Sequence, residues 1–137
     1  MTAEVFLDTN ILLYACSAAP GDAEKRGIAE NLILETKFGL SAQVIQEFIA
    51  NALRKKVLGI SENGINAMLE LSSQVPVLSI TRELLVLANA LRRQFQISQW
   101  DASIIAAALE LGCHTLYSED LNSGQDYSGI RVINPFQ

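Results

Sequence analysis

Histidine and cysteine are the scarcest sources of reactive chemistry in this chain. There is one histidine, His114, and there are two cysteines, Cys16 and Cys113, with no Cys-x-x-Cys spacing. That excludes a disulfide framework and a thiolate–imidazole metal centre. Both cysteines stand in apolar contexts and read as buried free thiols, and His114 reads as the start of a strand. No apolar run approaches the roughly 20 residues that cross a bilayer. Met1-Thr2-Ala3-Glu4 leads straight into a short apolar strand, without the basic start and longer apolar region of a signal peptide. The expectation is a soluble, cytoplasmic protein.

Positive charge is also in short supply. Ten Lys and Arg face fifteen Asp and Glu, for a formal net charge of −5, so the chain lacks the global basic footprint of nucleic-acid binders. Any phosphate contact must be local. The only tight basic clusters are Arg54-Lys55-Lys56 and Arg92-Arg93. Each lies near a predicted helix end, where the helix dipole favours cations in any case. The chain has 137 residues, half of them hydrophobic, which is enough for one domain over residues 1–137 with a core that needs no cross-links.

The pattern along the chain alternates. Val5-Phe6-Leu7 is β-prone, and Asp8-Thr9-Asn10 ends it with helix-capping residues before Ile11-Leu12-Leu13-Tyr14-Ala15. Pro20-Gly21-Asp22 is a turn, with Asp22 placed to cap a helix to about Thr36. Phe38-Gly39-Leu40 reads as the second strand, followed by a helix from Ser41 to about Lys56 and another from about Glu62 to Ser73. Val75–Ile80 is strand-like, with Pro76 at its start or on an edge. Thr81 opens a helix ending near Arg93, and Ser98 one through Leu111, stopped by Gly112. His114–Tyr117 and Arg131–Ile133 are the last strands, and residues 122–125 read as a loop. Strands alternating with helices predict an α/β fold with a mostly parallel, helix-covered sheet.

Against this frame four acids stand out, each where a predicted strand gives way to a helix or loop: Asp8, Glu47, Asp101 and Asp120. In an open parallel sheet the carboxyl ends of the strands form the ligand crevice. Carboxylates gathered there repel one another unless a hard divalent cation neutralises them, which points to Mg²⁺ or Mn²⁺. Each acid also has a plainer explanation. Asp8 could cap the first helix, though Asp-Thr-Asn supplies three capping side chains where one suffices. Ser98-x-x-Asp101 resembles a capping box. Glu47 lies nearly opposite the apolar stripe of Ile45, Phe48, Ile49, Ala52 and Leu53, so periodicity admits either a solvated face or a wet cleft. Asp120 sits beside Glu119 in what could be a surface turn, and the sequence does not say which of the two faces inward.

Taken in order, these segments resemble the PIN-domain nucleases, in particular the small VapC-type toxins of toxin–antitoxin pairs. The likeness spans nearly the whole chain. It rests on Phe6-Leu7-Asp8-Thr9-Asn10-Ile11-Leu12-Leu13-Tyr14, on Ser41–Phe48 around Glu47, on Trp100-Asp101-Ala102 with its alanine-rich continuation, and on Tyr117-Ser118-Glu119-Asp120-Leu121. The resemblance implies an αβα sandwich around a four- or five-stranded, mostly parallel sheet. It also implies a metal-dependent endoribonuclease that cuts RNA, forms a homodimer and is held inactive by a cognate antitoxin, with Asp120 rather than Glu119 in the site.

On this reading Asp8, Glu47, Asp101 and Asp120 bind metal and carry catalysis. Thr9, Asn10 and Ser118 orient them, and Arg54, Lys55, Lys56, Arg92 and Arg93 hold RNA phosphates. Three rivals compete. A small-molecule phosphohydrolase with an aspartyl nucleophile usually carries Asp-x-Asp after the first strand, where this chain has Asp8-Thr9-Asn10. A phosphoacceptor domain looks for an acidic pair near the first strand and a lysine after a late one, and the late strand here ends in Ser118-Glu119-Asp120 with no lysine near. The third is a non-catalytic PIN-fold binding module, which the loss of an acid would have favoured.

Overall fold

The computed structural model describes residues 2–137. The elements in order are β1 (Val5–Leu7), α1 (Thr9–Cys16), α2 (Ala23–Glu35), β2 (Phe38–Ser41), α3 (Ala42–Arg54), α4 (Glu62–Ser72), β3 (Val77–Leu78), α5 (Arg82–Phe95), α6 (Gln99–Glu110), β4 (Thr115–Tyr117), β5 (Asp126–Tyr127) and β6 (Ile130–Ile133). Every residue of β1 and β2 is buried. Because side chains alternate between faces along a strand, both faces of the sheet must be covered, which is the condition for a parallel sheet between helices.

The strand order is β3-β2-β1-β4-β6-β5. The five strands from β3 to β6 pair in parallel, as expected, and β5 adds an antiparallel sixth. From β1 the chain winds outward to β2 and β3, then crosses back to β4 on the far side of β1. That reversal places a topological switch point between β1 and β4, where open α/β sheets take their ligands.

Local chemistry explains most boundaries. Ser41, Ser61, Thr81 and Ser98 cap α3, α4, α5 and α6, each side-chain oxygen accepting from the amide three residues on. Asp22 departs from expectation. It lies in a 3₁₀ turn with φ −99° and ψ 5° and makes no capping bond. A cap residue needs extended backbone to aim its side chain at the helix amides, and Asp22 instead accepts from the Ser17 hydroxyl at 2.6 Å. The third strand is shorter than its apolar run, and Pro76 stands just before it at the sheet edge, its carbonyl accepting from Leu40 N. Cys113 is buried as expected, but Cys16 is only half-buried.

The β5–β6 hairpin was not anticipated. Its signal is Ser128-Gly129 between Tyr127 and Ile130, with φ of 55° and 99°, the double left-handed pair of a tight hairpin turn.

Helix α6 packs on α5 and on β2, β4 and β6. Every residue from Ala102 to Ala108 is buried, the four alanines allowing close approach on several sides. This anchors the first turn of α6 against the sheet. Crowding is tightest at Gly39 in β2, where an added Cβ would lie 2.7 Å from Leu111 Cδ1 and 3.0 Å from Ala3 Cβ. Gly39→Val should therefore destabilise the protein by about 1–3 kcal/mol, despite valine's preference for strands. A denaturant midpoint equal to or above that of the wild type would refute this.

Candidate active site

The site is built from the ends of β1 and β4 and from the helices α3 and α6. Leu7 and Tyr117 are the last paired residues of β1 and β4. The residues that follow them, Asp8 and Ser118, stay in contact: the Ser118 hydroxyl donates to Asp8 Oδ2 at 2.7 Å. The same hydroxyl accepts from the Asp120 amide at 3.1 Å. Ser118 is fully buried, so one hydroxyl ties the first acid to the turn that carries the last.

Asp8 Oδ1 caps α1 by accepting from Thr9 N at 2.7 Å. Capping and site membership are thus compatible in one side chain. The Thr9 hydroxyl donates to Glu47 Oε1 at 3.0 Å, and Asn10 Nδ2 donates to Asp120 Oδ2 at 3.1 Å. The Asp-Thr-Asn segment therefore supplies one acid and positions two more.

On α3, Gln43, Glu47 and Asn51 recur every fourth residue, Lys55 follows just past the helix end, and all four line the same cleft. The polar face opposite the apolar stripe of α3 is a cleft wall. Gln43 Nε2 donates to Glu47 Oε2 at 3.3 Å and to the Trp100 carbonyl at 3.2 Å, linking α3 to the first turn of α6. Ser98 caps that turn by accepting from Asp101 N at 3.0 Å. Among the described residues, the Asp101 carboxylate accepts no hydrogen bond in return, so it remains available in the cleft.

The cleft has a volume of about 360 Å³ and holds Asp8, Glu47, Asp101, Glu119 and Asp120, with Lys55 as its single lysine or arginine. The two neighbours Glu119 and Asp120 are engaged differently. Glu119 accepts from Lys25 Nζ at 2.6 Å and from the Tyr14 hydroxyl at 2.8 Å. Lys25 also lies over the Tyr14 ring, 4.7 Å from its centroid. Glu119 thus has a cation of its own, whereas Asp120 has only the neutral Asn10 amide. Glu119 holds the Lys25 ammonium above its ordinary pKa with help from the Tyr14 hydroxyl, while burial, ahead of the Glu119 bond, raises that of Tyr14.

Asp8 is the electrostatically frustrated member. Burial raises its pKa from 3.8 to about 6. The bonds from Ser118 and Thr9 oppose the rise, and the charges of Asp120 and Glu47 add to it.

The donor set is all oxygen, with neither imidazole nor thiolate on the cleft lining, which suits a hard cation. Among the described residues, no three His, Cys, Asp or Glu side chains gather tightly enough to enclose one ion. A cation that keeps several waters and takes one or two carboxylates directly fits this wider spacing, as Mg²⁺ does.

Of the basic residues, Lys55 lines the cleft, and Arg54, outside its lining, donates to Asn51 Oδ1 at 2.6 Å. Lys56, Arg92 and Arg93 lie outside the lining, and Arg92 is bonded to Asn89. His114 sits at the opposite end of β4, bonded to Thr115. Gln43 had a sequence signal, its fourfold spacing with Glu47 and Asn51. Tyr14 and Lys25 had none, because their partner Glu119 is remote in sequence.

A doubly wound α/β domain with an acidic cleft at its switch point is thus the class that fold and site define. The model of the PIN domain matches residues 5–123, and the chain belongs to that family. The VapC20 toxin of Mycobacterium tuberculosis, described as cleaving the sarcin–ricin loop, is 25% identical with a TM-score of 0.68, covering 85% of this chain and 90% of its own. A toxin–antitoxin complex from Klebsiella pneumoniae is 18% identical with a TM-score of 0.70, covering 96% of this chain and 98% of its own. A DNA-bound VapBC complex from Salmonella typhimurium is 19% identical with a TM-score of 0.67, covering 96% and 97%. No curated protein matches the sequence at a significant level. No helix among the described residues is long and apolar enough to cross a membrane.

Proposed function

We propose that this chain is the endoribonuclease toxin of a toxin–antitoxin pair, hydrolysing RNA phosphodiesters with Mg²⁺ or Mn²⁺ bound at Asp8, Glu47, Asp101 and Asp120. The observation that carries the reading is the meeting of these acids, from four separate stretches of sequence, in one cleft with hardly any positive charge. Such a site repels a phosphodiester until a cation is bound. When bound, the cation polarises the phosphate and lowers the pKa of a water for attack.

The chain's own residues divide the remaining work. Asp8 and Asp101 are the direct ligands, one held by Ser118 and Thr9 N, the other with a carboxylate that accepts no hydrogen bond among the described residues. Glu47, steadied by Thr9 and Gln43, is a ligand or the group that orients the water and takes its proton. Asp120 completes the ligand set, and Asn10 holds its carboxylate. Lys55 grips phosphate in the cleft, while Arg54, Lys56, Arg92 and Arg93 are left for RNA that runs beyond it. Phosphate contacts of this kind position the strand without reading its sequence.

The antitoxin has an apolar groove available among α1, α2 and α4, lined by Cys16, Ile33, Leu34, Ala67, Met68 and Leu71. That there is an antitoxin partner is supported by similar solved structures that are toxin–antitoxin complexes. The exposed Ile80, Leu85 and Val86 offer apolar surface to a second copy in a homodimer.

The test is cleavage of total RNA in Mg²⁺, in Mn²⁺ and in excess EDTA. Discrete products are expected with metal and none with EDTA. Cleavage should weaken by about tenfold between roughly 50 and 200 mM salt if two or three phosphates are held by cationic side chains. Products that persist in EDTA would overturn the metal site, and a flat salt series would remove the basic residues from substrate binding.

A further inference from the structure

Trp100 is the only tryptophan in the chain and is 71% exposed. An indole is a large apolar surface to leave in water, and this one lines the acidic cleft immediately before Asp101. It belongs to neither aromatic pair of the described residues, Tyr14–Phe136 and Phe95–Tyr127, and no cation among them lies over its ring. Its backbone is nevertheless fixed: Gln43 bonds the Trp100 carbonyl and the Glu47 carboxylate with the same side-chain nitrogen. Ile104, one turn further along α6 and 3% exposed, continues the same cleft wall.

We infer that Trp100 is a stacking platform for an unpaired nucleobase next to the scissile phosphate. This rests on the nuclease reading above. Bases within an A-form duplex already stack on one another, and an aromatic face at the mouth of a cleft reaches only a base that has left its stack. Stacking on an aromatic side chain accepts any base, so the platform selects for strandedness rather than sequence. The rival occupant is a second copy of this chain covering the indole.

With one tryptophan, fluorescence excited at the red edge of the indole band, where the three tyrosines hardly absorb, reports on this residue alone. The titrants are a short single-stranded oligoribonucleotide of mixed sequence with a slowly cleaved phosphorothioate backbone, the same strand annealed to its complement, and inorganic phosphate, all in Mn²⁺. The expected result is saturable quenching by the single strand and little by the duplex or phosphate. On the shortest RNA fragment that the wild type cleaves, Trp100→Ala should raise KM by about tenfold with kcat changed far less, and Trp100→Phe should recover most of the loss.

Unchanged emission while the wild type still cleaves would overturn the platform and leave the nuclease standing. Emission that shifts with protein concentration alone, before RNA is added, would assign Trp100 to a second copy and overturn it as well. Failure of the wild type to cleave total RNA under any metal would remove both readings.

Discussion

Asp8→Asn should abolish metal-dependent cleavage and at the same time make the metal-free protein harder to unfold. The two effects share a cause. Asp8 is buried, faces Asp120 and Glu47, and has its pKa raised from 3.8 to about 6. An acid whose pKa is higher folded than unfolded binds its proton more tightly in the folded state. Its favourable contribution is complete below the unfolded value near pH 4 and is lost as pH rises through about 6.

At pH 7 the ionised carboxylate therefore destabilises the metal-free fold by about 3 kcal/mol. Asparagine removes the charge and keeps an oxygen for the Thr9 amide, but it gives up the acceptor for the Ser118 hydroxyl. The net gain should be about 1–2 kcal/mol, or roughly 5 °C in Tm. Melting the wild type and the variant in EDTA from pH 4 to pH 8 checks this: the wild type should lose ground relative to the variant as pH rises. Adding Mg²⁺ should raise the Tm of the wild type and leave the variant nearly unmoved. A variant that melts below the wild type at pH 7 in EDTA would contradict the account of Asp8 as a destabilised ligand.

Ser118→Ala should cost about 10–100-fold in cleavage at neutral pH, although Ser118 touches neither the metal nor the substrate in the proposed site. Its hydroxyl donates to Asp8 Oδ2 and accepts from Asp120 N, and the residue is fully buried. Alanine removes both bonds at a fully buried position, which should also destabilise the fold by about 1–3 kcal/mol. The Ser118 bond is the larger of the two that hold the Asp8 pKa down. Without it the acid limb of the pH–rate profile should move to higher pH, so that the deficit is greatest near pH 6 and smaller near pH 8. A deficit that is the same at every pH would mean that Ser118 supports only the turn and not the ionisation of Asp8.

These effects explain why some parts of the site are legible in the sequence and others are not. Caps and strand ends are local, so Asp8, Ser41, Ser98 and Asp101 fall where propensity puts them. The helical wheel locates Glu47 on the polar side of α3 but is blind to what faces that side, and only the packing of α3 and α6 around the β1 and β4 ends makes it a cleft. The difference between Glu119 and Asp120 depends on Lys25, 94 residues away in sequence. No spacing rule links those residues, whereas a 2.6 Å ion pair does. The β5 strand escaped because two residues carry no periodicity, and the turn chemistry of Ser128-Gly129 was the signal to read.

The contact between β1 and β4 also has a consequence for the timing of synthesis. Asp8 is translated 110 residues before Ser118, whose hydroxyl steadies it. No nascent or prematurely ended chain that lacks β4 can close the cleft. Such contacts between distant parts of the sequence are also among the slower ones to form. A protein whose proposed activity would harm the cell making it therefore becomes competent only after β4 has been translated, and a partner made alongside it has that interval in which to bind.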